Sequence, residues 1–135
     1  MTNDAGGGKP DISKNRSIKS LGKAMRLAIA GIVKTFKTER NMAIFVVVAI
    51  IALVLCAVLR CTPVEWCIVI IMIALVFTTE LINTAIESAV DLTTSEFHPK
   101  AKDAKDIAAG AVFFISMASA VVGIIVYITA FLRLI

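Results

Sequence analysis

A chain of 135 residues, 59% of them hydrophobic, with a mean hydropathy of +0.90, is too apolar for an ordinary soluble domain and long enough for only one small membrane domain. Its net charge of +4 and pI of about 9.2 fit contact with anionic lipid better than contact with nucleic acid.

In chain order, residues 1–13 read "MTNDAGGGKPDIS", and 1–17 are expected to be a disordered polar N-terminus. The "GGGK" is no phosphate loop, because Pro10 follows the Lys and no strand precedes it. A cleaved signal peptide is not expected either, because the first forty residues hold no apolar core ahead of the basic region. From about 18 to 37, Leu21, Met25, Ala28, Ile29, Ile32 and Phe36 recur at helical spacing, with Lys19, Lys23, Arg26, Lys34 and Lys37 largely on other faces. That pattern predicts an amphipathic helix on a membrane surface, held there by anionic lipid.

Three charge-free runs follow: Met42 to Leu59, Trp66 to Thr79 and Ile107 to Leu132. A helix needs about 20 residues to cross the hydrocarbon layer, so spans are expected at about 41–60, 64–90 and 104–132 of one membrane domain over 18–135. Nine of the fourteen Lys and Arg residues precede the first span, which puts the N-terminus in the cytoplasm and, after three crossings, the C-terminus outside. Cys56, Cys61 and Cys67 fit no metal or redox spacing and read as small buried hydrophobes. In the third span Ser116/Ala120 and Ser119/Gly123 stand four apart, a spacing that lets helices approach closely within a bundle or between subunits. Oligomerisation is the natural way for so thin a bundle to enclose a polar site.

Such a site is written in "TTELINTAIESAVD", residues 78–91. At about 100° per residue, Glu80, Asn83, Glu87 and Asp91 share less than a quarter-turn of one helix. A charge within a span costs about 2.5–3.5 kcal/mol, so the default reading of this stripe is function. Glu87 and Asp91 lie toward the cytoplasmic end, with Glu80 about 10 Å deeper. Glu39, just before the first span, can approach Glu87, and two carboxylates at a wet boundary suit Mg²⁺, with water and substrate phosphate completing its shell. Glu80, farther from water, suits a general base acting on something reached from the lipid phase. Lys105 and Asp106, where the third span is expected to begin, set a cation beside the amides of a helix N-terminus, a setting for phosphate. His98 is the only histidine, and a lone loop histidine says little by itself; Lys102 and Asp106 read equally well as a surface ion pair. Metal, phosphate-binding charge and a deeper base together are what phosphoryl transfer from a nucleotide to a lipid alcohol requires.

The run "ELINTAIESAVD", followed by "SEFHP" and "AKDIAAGAV", closely resembles the prokaryotic integral-membrane lipid kinases that phosphorylate diacylglycerol or undecaprenol. The resemblance runs from about Ser20 to the end of the third span. It implies an all-α homotrimer of three-span subunits with surface helices, in a bacterial plasma membrane, with active sites shared between subunits. By resemblance, Glu80 is the catalytic base at the lipid substrate and Asn83 its supporting amide. Glu39 and Glu87 hold Mg²⁺ and, through it, ATP. Glu96, Phe97 and His98 contact the nucleotide, as do Lys105 and Asp106, and Asp91 gives structural support. Phe97 replaces a Tyr found in some members. Where the enteric diacylglycerol kinases carry other residues, this chain has "RNMAIF", Leu27 and Ala109, wording more like the undecaprenol kinases.

The expected activity is therefore an ATP- and Mg²⁺-dependent undecaprenol kinase, with a diacylglycerol kinase as the alternative. A proton- or cation-conducting oligomer also places glutamates on a helix face, but calls for polar residues through the outer half of the spans, where this second span is apolar. A structural adaptor accounts for the basic surface helix and not for the stripe.

Overall fold

The computed structural model describes the backbone of residues 12–93 and 98–135, with side chains from residue 20 onward. These residues are helical throughout their regular structure: α1 (Ile12–Thr38), α2 (Arg40–Val58), α3 (Pro63–Thr93) and α4 (Pro99–Leu132). The last three are long and apolar enough to cross a membrane. The chain divides into two units at Lys34/Thr35.

In the first unit α1 begins at Ile12, inside the segment expected to be disordered, because no Gly or Pro interrupts the chain between Ile12 and Ile18; residues 1–11 lie outside the described residues. Its last turn, from Thr35, belongs to the second unit. There the helix stops at Glu39, whose extended backbone (φ −92°, ψ 118°) makes it the N-cap of α2. The Glu39 N–H still bonds the Thr35 carbonyl at 2.9 Å, and its carbonyl accepts from the Met42 N–H at 3.2 Å, so the bend leaves few backbone groups idle.

The turn from α2 to α3 is closed locally. Arg60 takes a left-handed conformation (φ 49°), the Cys61 N–H bonds the Cys56 carbonyl at 2.9 Å and the Arg60 N–H bonds the Ala57 carbonyl at 3.2 Å, which is a Schellman stop with Arg where Gly is usual. "TPVE" then opens α3 as a capping box, with the Thr62 N–H donating to Glu65 Oε2 at 2.7 Å and the Glu65 N–H to Thr62 Oγ1 at 3.4 Å, and Pro63 in the first turn.

α3 and α4 have 31 and 34 residues, about 46 and 51 Å, longer than the roughly 30 Å hydrocarbon layer. They run antiparallel, joined by Arg133 to Glu65 at one end, Ser119 to Met72 midway and Lys105 to Asp91 at the other. α4 starts at Pro99 and not near 104, since Pro suits a first helical turn and "KAKDAKD" continues it without a breaker. The expectation that Lys105 and Asp106 sit at that helix's exposed N-terminal amides is thereby corrected: they lie about two turns inside it.

Few side chains are buried within one chain. Cys56, Val69 and Val126 form a small core near the α2–α3 turn, with Trp66 and Tyr127 packed on it, and Met42, Ala108, Val112 and Ala130 are buried elsewhere. Of the cysteines only Cys56 is buried; Cys61 is half-buried and Cys67 faces outward, so the expectation of three buried thiols holds for one. Ala108 and Ala130 of α4 are packed inside the chain, whereas other small residues of that helix border open space. A methyl group at Gly110 would meet nothing within 4 Å, and Ser116, Ser119, Ala120 and Gly123 line a cavity of about 320 Å³ between α2, α3 and α4. Its other walls include Phe45 and Phe77, which meet edge-on at 6.4 Å, Phe77 also stacking on Phe36 at 5.4 Å.

Candidate functional site

The stripe on α3 forms because three- and four-residue steps return to one helix face. Glu80 is 1% exposed and Asn83 7%, and the two are the buried polar residues of that helix. Asn83 Nδ2 donates to Glu87 Oε1 at 3.0 Å, which fixes the amide and half-engages the half-buried Glu87. Among the described residues, Glu80 Oε2 and Asn83 Oδ1 are buried with no hydrogen-bond partner. Leaving such an atom unmade costs about 1–3 kcal/mol, so two neighbours in that state on one face mark a place built for something that brings donors.

The first turn of α2 supplies the facing wall. The Asn41 side chain lies beside the Glu80 carboxyl, and the carboxylates nearest in effect on Glu80 are those of Glu87 and Glu39. The structure thus places Glu39, Asn41 and Glu87 around Glu80, with Asn83 on the same face of α3; Asn41 is the one of these that the sequence reading missed. Its only signal was an amide at the mouth of an otherwise apolar helix.

One turn beyond Glu87, Asp91 accepts from Lys105 Nζ of α4 at 2.5 Å. Asp91 is therefore the residue that holds a cation from the neighbouring helix beside the stripe, a pairing that spacing along one helix cannot reveal. Asp106, by contrast, is exposed and paired with Lys102 one turn earlier, the surface ion pair of the plainer reading. His98 is the N-cap of α4, exposed and with no capping bond from its side chain. Glu96 and Phe97 lie outside the described residues.

Whether these residues suit a divalent cation turns on their donors. No three His, Cys, Asp or Glu side chains converge among the described residues. A cation here would draw on Glu39 and Glu87 alone, each at the polar end of the site and neither locked by a full set of bonds. Two carboxylates with the remaining positions left to water and phosphate match the habit of Mg²⁺, not of zinc or of the oxygen-rich cages of calcium.

Residues 26–127 match the family described as prokaryotic diacylglycerol kinase. The chain is 40% identical over 114 residues, 84% of its length and 89% of the relative's, to the undecaprenol kinase of Bacillus subtilis (strain 168). It is 35% identical over 120 residues to the diacylglycerol kinase of a Synechocystis species, covering 87% of this chain and 69% of that one. A diacylglycerol kinase of Helicobacter pylori is 38% identical over 98 residues, 73% of this chain and 77% of the relative. Every candidate residue discussed above falls inside the matched region.

Proposed function

The chain belongs to the prokaryotic diacylglycerol kinase family and is a lipid kinase, and from that premise we propose that it phosphorylates undecaprenol, passing the γ-phosphoryl group of ATP to the lipid hydroxyl to make undecaprenyl phosphate. The observation that carries this reading is Glu80: a buried carboxyl with an unpartnered oxygen, set where the polar half of α3 gives way to its apolar half.

At that boundary the hydroxyl of a lipid can reach the carboxyl while its chain stays in hydrocarbon. Glu80 takes or orients the hydroxyl proton as the oxygen attacks the γ-phosphorus and the bond to the bridging oxygen breaks, releasing ADP. Asn83, pinned to Glu87 through its Nδ2, offers its free carbonyl oxygen on the same face. Glu39 and Glu87 hold Mg²⁺, which when bound neutralises charge on the transferring group. Lys105, steadied by Asp91, meets the nucleotide phosphates, and Glu96, Phe97, His98 and Asp106 complete the ATP contacts.

In this reading the enzyme is a homotrimer in the plasma membrane that shares its active sites between subunits, with the N-terminus and the polar stripe at the cytoplasmic face. α1 lies on the anionic surface through its basic residues, and the exposed apolar faces of the spans are covered by lipid and by neighbouring subunits. The Bacillus relative supports undecaprenol; the Synechocystis and Helicobacter relatives support the second reading, diacylglycerol to phosphatidic acid. Transfer from labelled ATP to the two lipids side by side, in mixed micelles with Mg²⁺, tests both. Faster transfer to undecaprenol is expected; preference for diacylglycerol selects the second reading, and no transfer from folded, oligomeric protein overturns the kinase mechanism assigned here.

A further inference from the structure

The polar stripe is only half of a longer face. Val69, Met72, Ile73, Val76 and Phe77 line the cavity between α2, α3 and α4, and the same three- and four-residue steps carry that face on through Glu80 to Asp91. The change from hydrocarbon to carboxylate falls between Phe77 and Glu80. Resting on the kinase reading above, we infer that this cavity receives the hydrocarbon chain of the lipid alcohol immediately beyond its hydroxyl, and that it is fitted to a prenyl chain.

Continuity is the first argument. A lipid whose hydroxyl meets the unpartnered Glu80 Oε2 has the next stretch of its chain beside Phe77 and Val76, where the cavity begins. Its volume, about 320 Å³, lies within the range of about 300–1,000 Å³ typical of small-molecule sites.

The second argument is how the space is made. Ser116, Ala120 and Gly123 present almost no side chain to it, and a methyl group at Gly123 would meet only Tyr127 Cε2 at an ordinary 3.5 Å. Packing within the chain therefore does not demand a residue this small at Gly123. An apolar chain with methyl branches needs that width.

Hydrogen-bond supply decides the chemical class. Tyr127 OH already donates to the Ala52 carbonyl at 3.0 Å, and Ser119 Oγ to Met72 Sδ at 3.8 Å. Ser116 borders the cavity, but its Oγ is buried with no partner among the described residues, at the level of Val76, since Ser119 faces Met72 across the antiparallel pair. The wall therefore offers at most that one uncommitted hydroxyl near the reacting end. A diacylglycerol brings two ester carbonyls within the first few atoms of its hydroxyl, each needing a donor in an apolar wall; a prenyl alcohol brings none.

The test is Ala120→Phe, which fills the cavity, with the milder Ala120→Val beside it, assayed in mixed micelles with ATP and Mg²⁺ and with subunit association followed by cross-linking. The KM for undecaprenol is expected to rise about tenfold or more for Phe and less for Val, with the KM for ATP changing less than about twofold and the oligomer intact. An unchanged undecaprenol KM in an intact oligomer overturns the inference. Loss of subunit association, with the lipid and ATP constants failing together in both variants, assigns the cavity to a helix of a second copy and overturns it as well. Wild-type preference for diacylglycerol overturns the prenyl assignment alone, and wild-type protein that phosphorylates neither lipid brings down the kinase reading on which the inference stands.

Discussion

α3 carries Glu65 in its first turn and Glu80 just past its middle, and the two are treated in opposite ways. Glu65 has every oxygen engaged: Arg133 grips it in a two-pronged pair at 2.8 and 3.0 Å, the Thr62 N–H donates to it, and Arg133 also reaches the Arg60 carbonyl at 3.5 Å. Glu80, more deeply buried, keeps an oxygen without a partner and has carboxylates, not cations, for company. A carboxylate whose bonds are complete ties helices together; one left incomplete at comparable or greater burial is held ready for a ligand. Residue type and helix are the same, so satisfaction is what separates the structural carboxylate from the proposed catalytic one.

Substitutions around the two carboxylates put that contrast to the test. Glu80→Gln should lower kcat by about 10²-fold or more, the range expected for loss of a general base, while the protein melts no lower than wild type because Glu80 Oε2 forms no bond for the substitution to break. Turnover and thermal unfolding measured on the same preparation check this, and a stability loss with retained turnover would reverse the assignment. Glu87→Gln should raise the Mg²⁺ concentration for half-maximal rate about tenfold or more and weaken nucleotide binding, leaving the lipid KM in place; a Mg²⁺ titration at fixed ATP decides it.

Around Glu65 the order reverses. Arg133→Ala should lower the melting temperature and leave both Michaelis constants unaltered, since its partners are Glu65 and a carbonyl of the α2–α3 turn. Thr62→Ala removes the capping-box hydroxyl and should cost about 1 kcal/mol of stability, again with normal turnover. Smallest of all, Arg60→Gly relieves the left-handed backbone at the helix stop and should gain at most about 1 kcal/mol, offset in part by the freedom glycine gives the unfolded chain. A change in catalysis from any of these three would blur the distinction between the two carboxylates.

Legibility follows the same division. The stripe from Glu80 to Asp91 was readable because it lies on one helix, where 3.6-residue periodicity fixes which side chains share a face. The α2–α3 turn was readable in principle, as "TPVE" is a capping box written in consecutive residues. Other features were not. Asn41 meets Glu80 only because the chain bends at Glu39, and Asp91 meets Lys105 only through the rotation of α4 against α3. The start of α4 was placed too late because hydropathy marks where a span becomes apolar, not where a helix begins: "PKAKDAKD" is polar yet helical.

By itself, then, the amino-acid sequence determined that this is a helical protein with three stretches long and apolar enough to cross a membrane and a carboxylate stripe on the second, because both conclusions rest on local quantities, the run of apolar residues and the helical repeat. The tertiary structure alone decided which carboxylates are completed and which are left open, which cation Asp91 holds, and that the small residues of α4 border a cavity in line with Glu80. Those depend on how helices far apart in the chain turn toward one another, and no single helix carries that information.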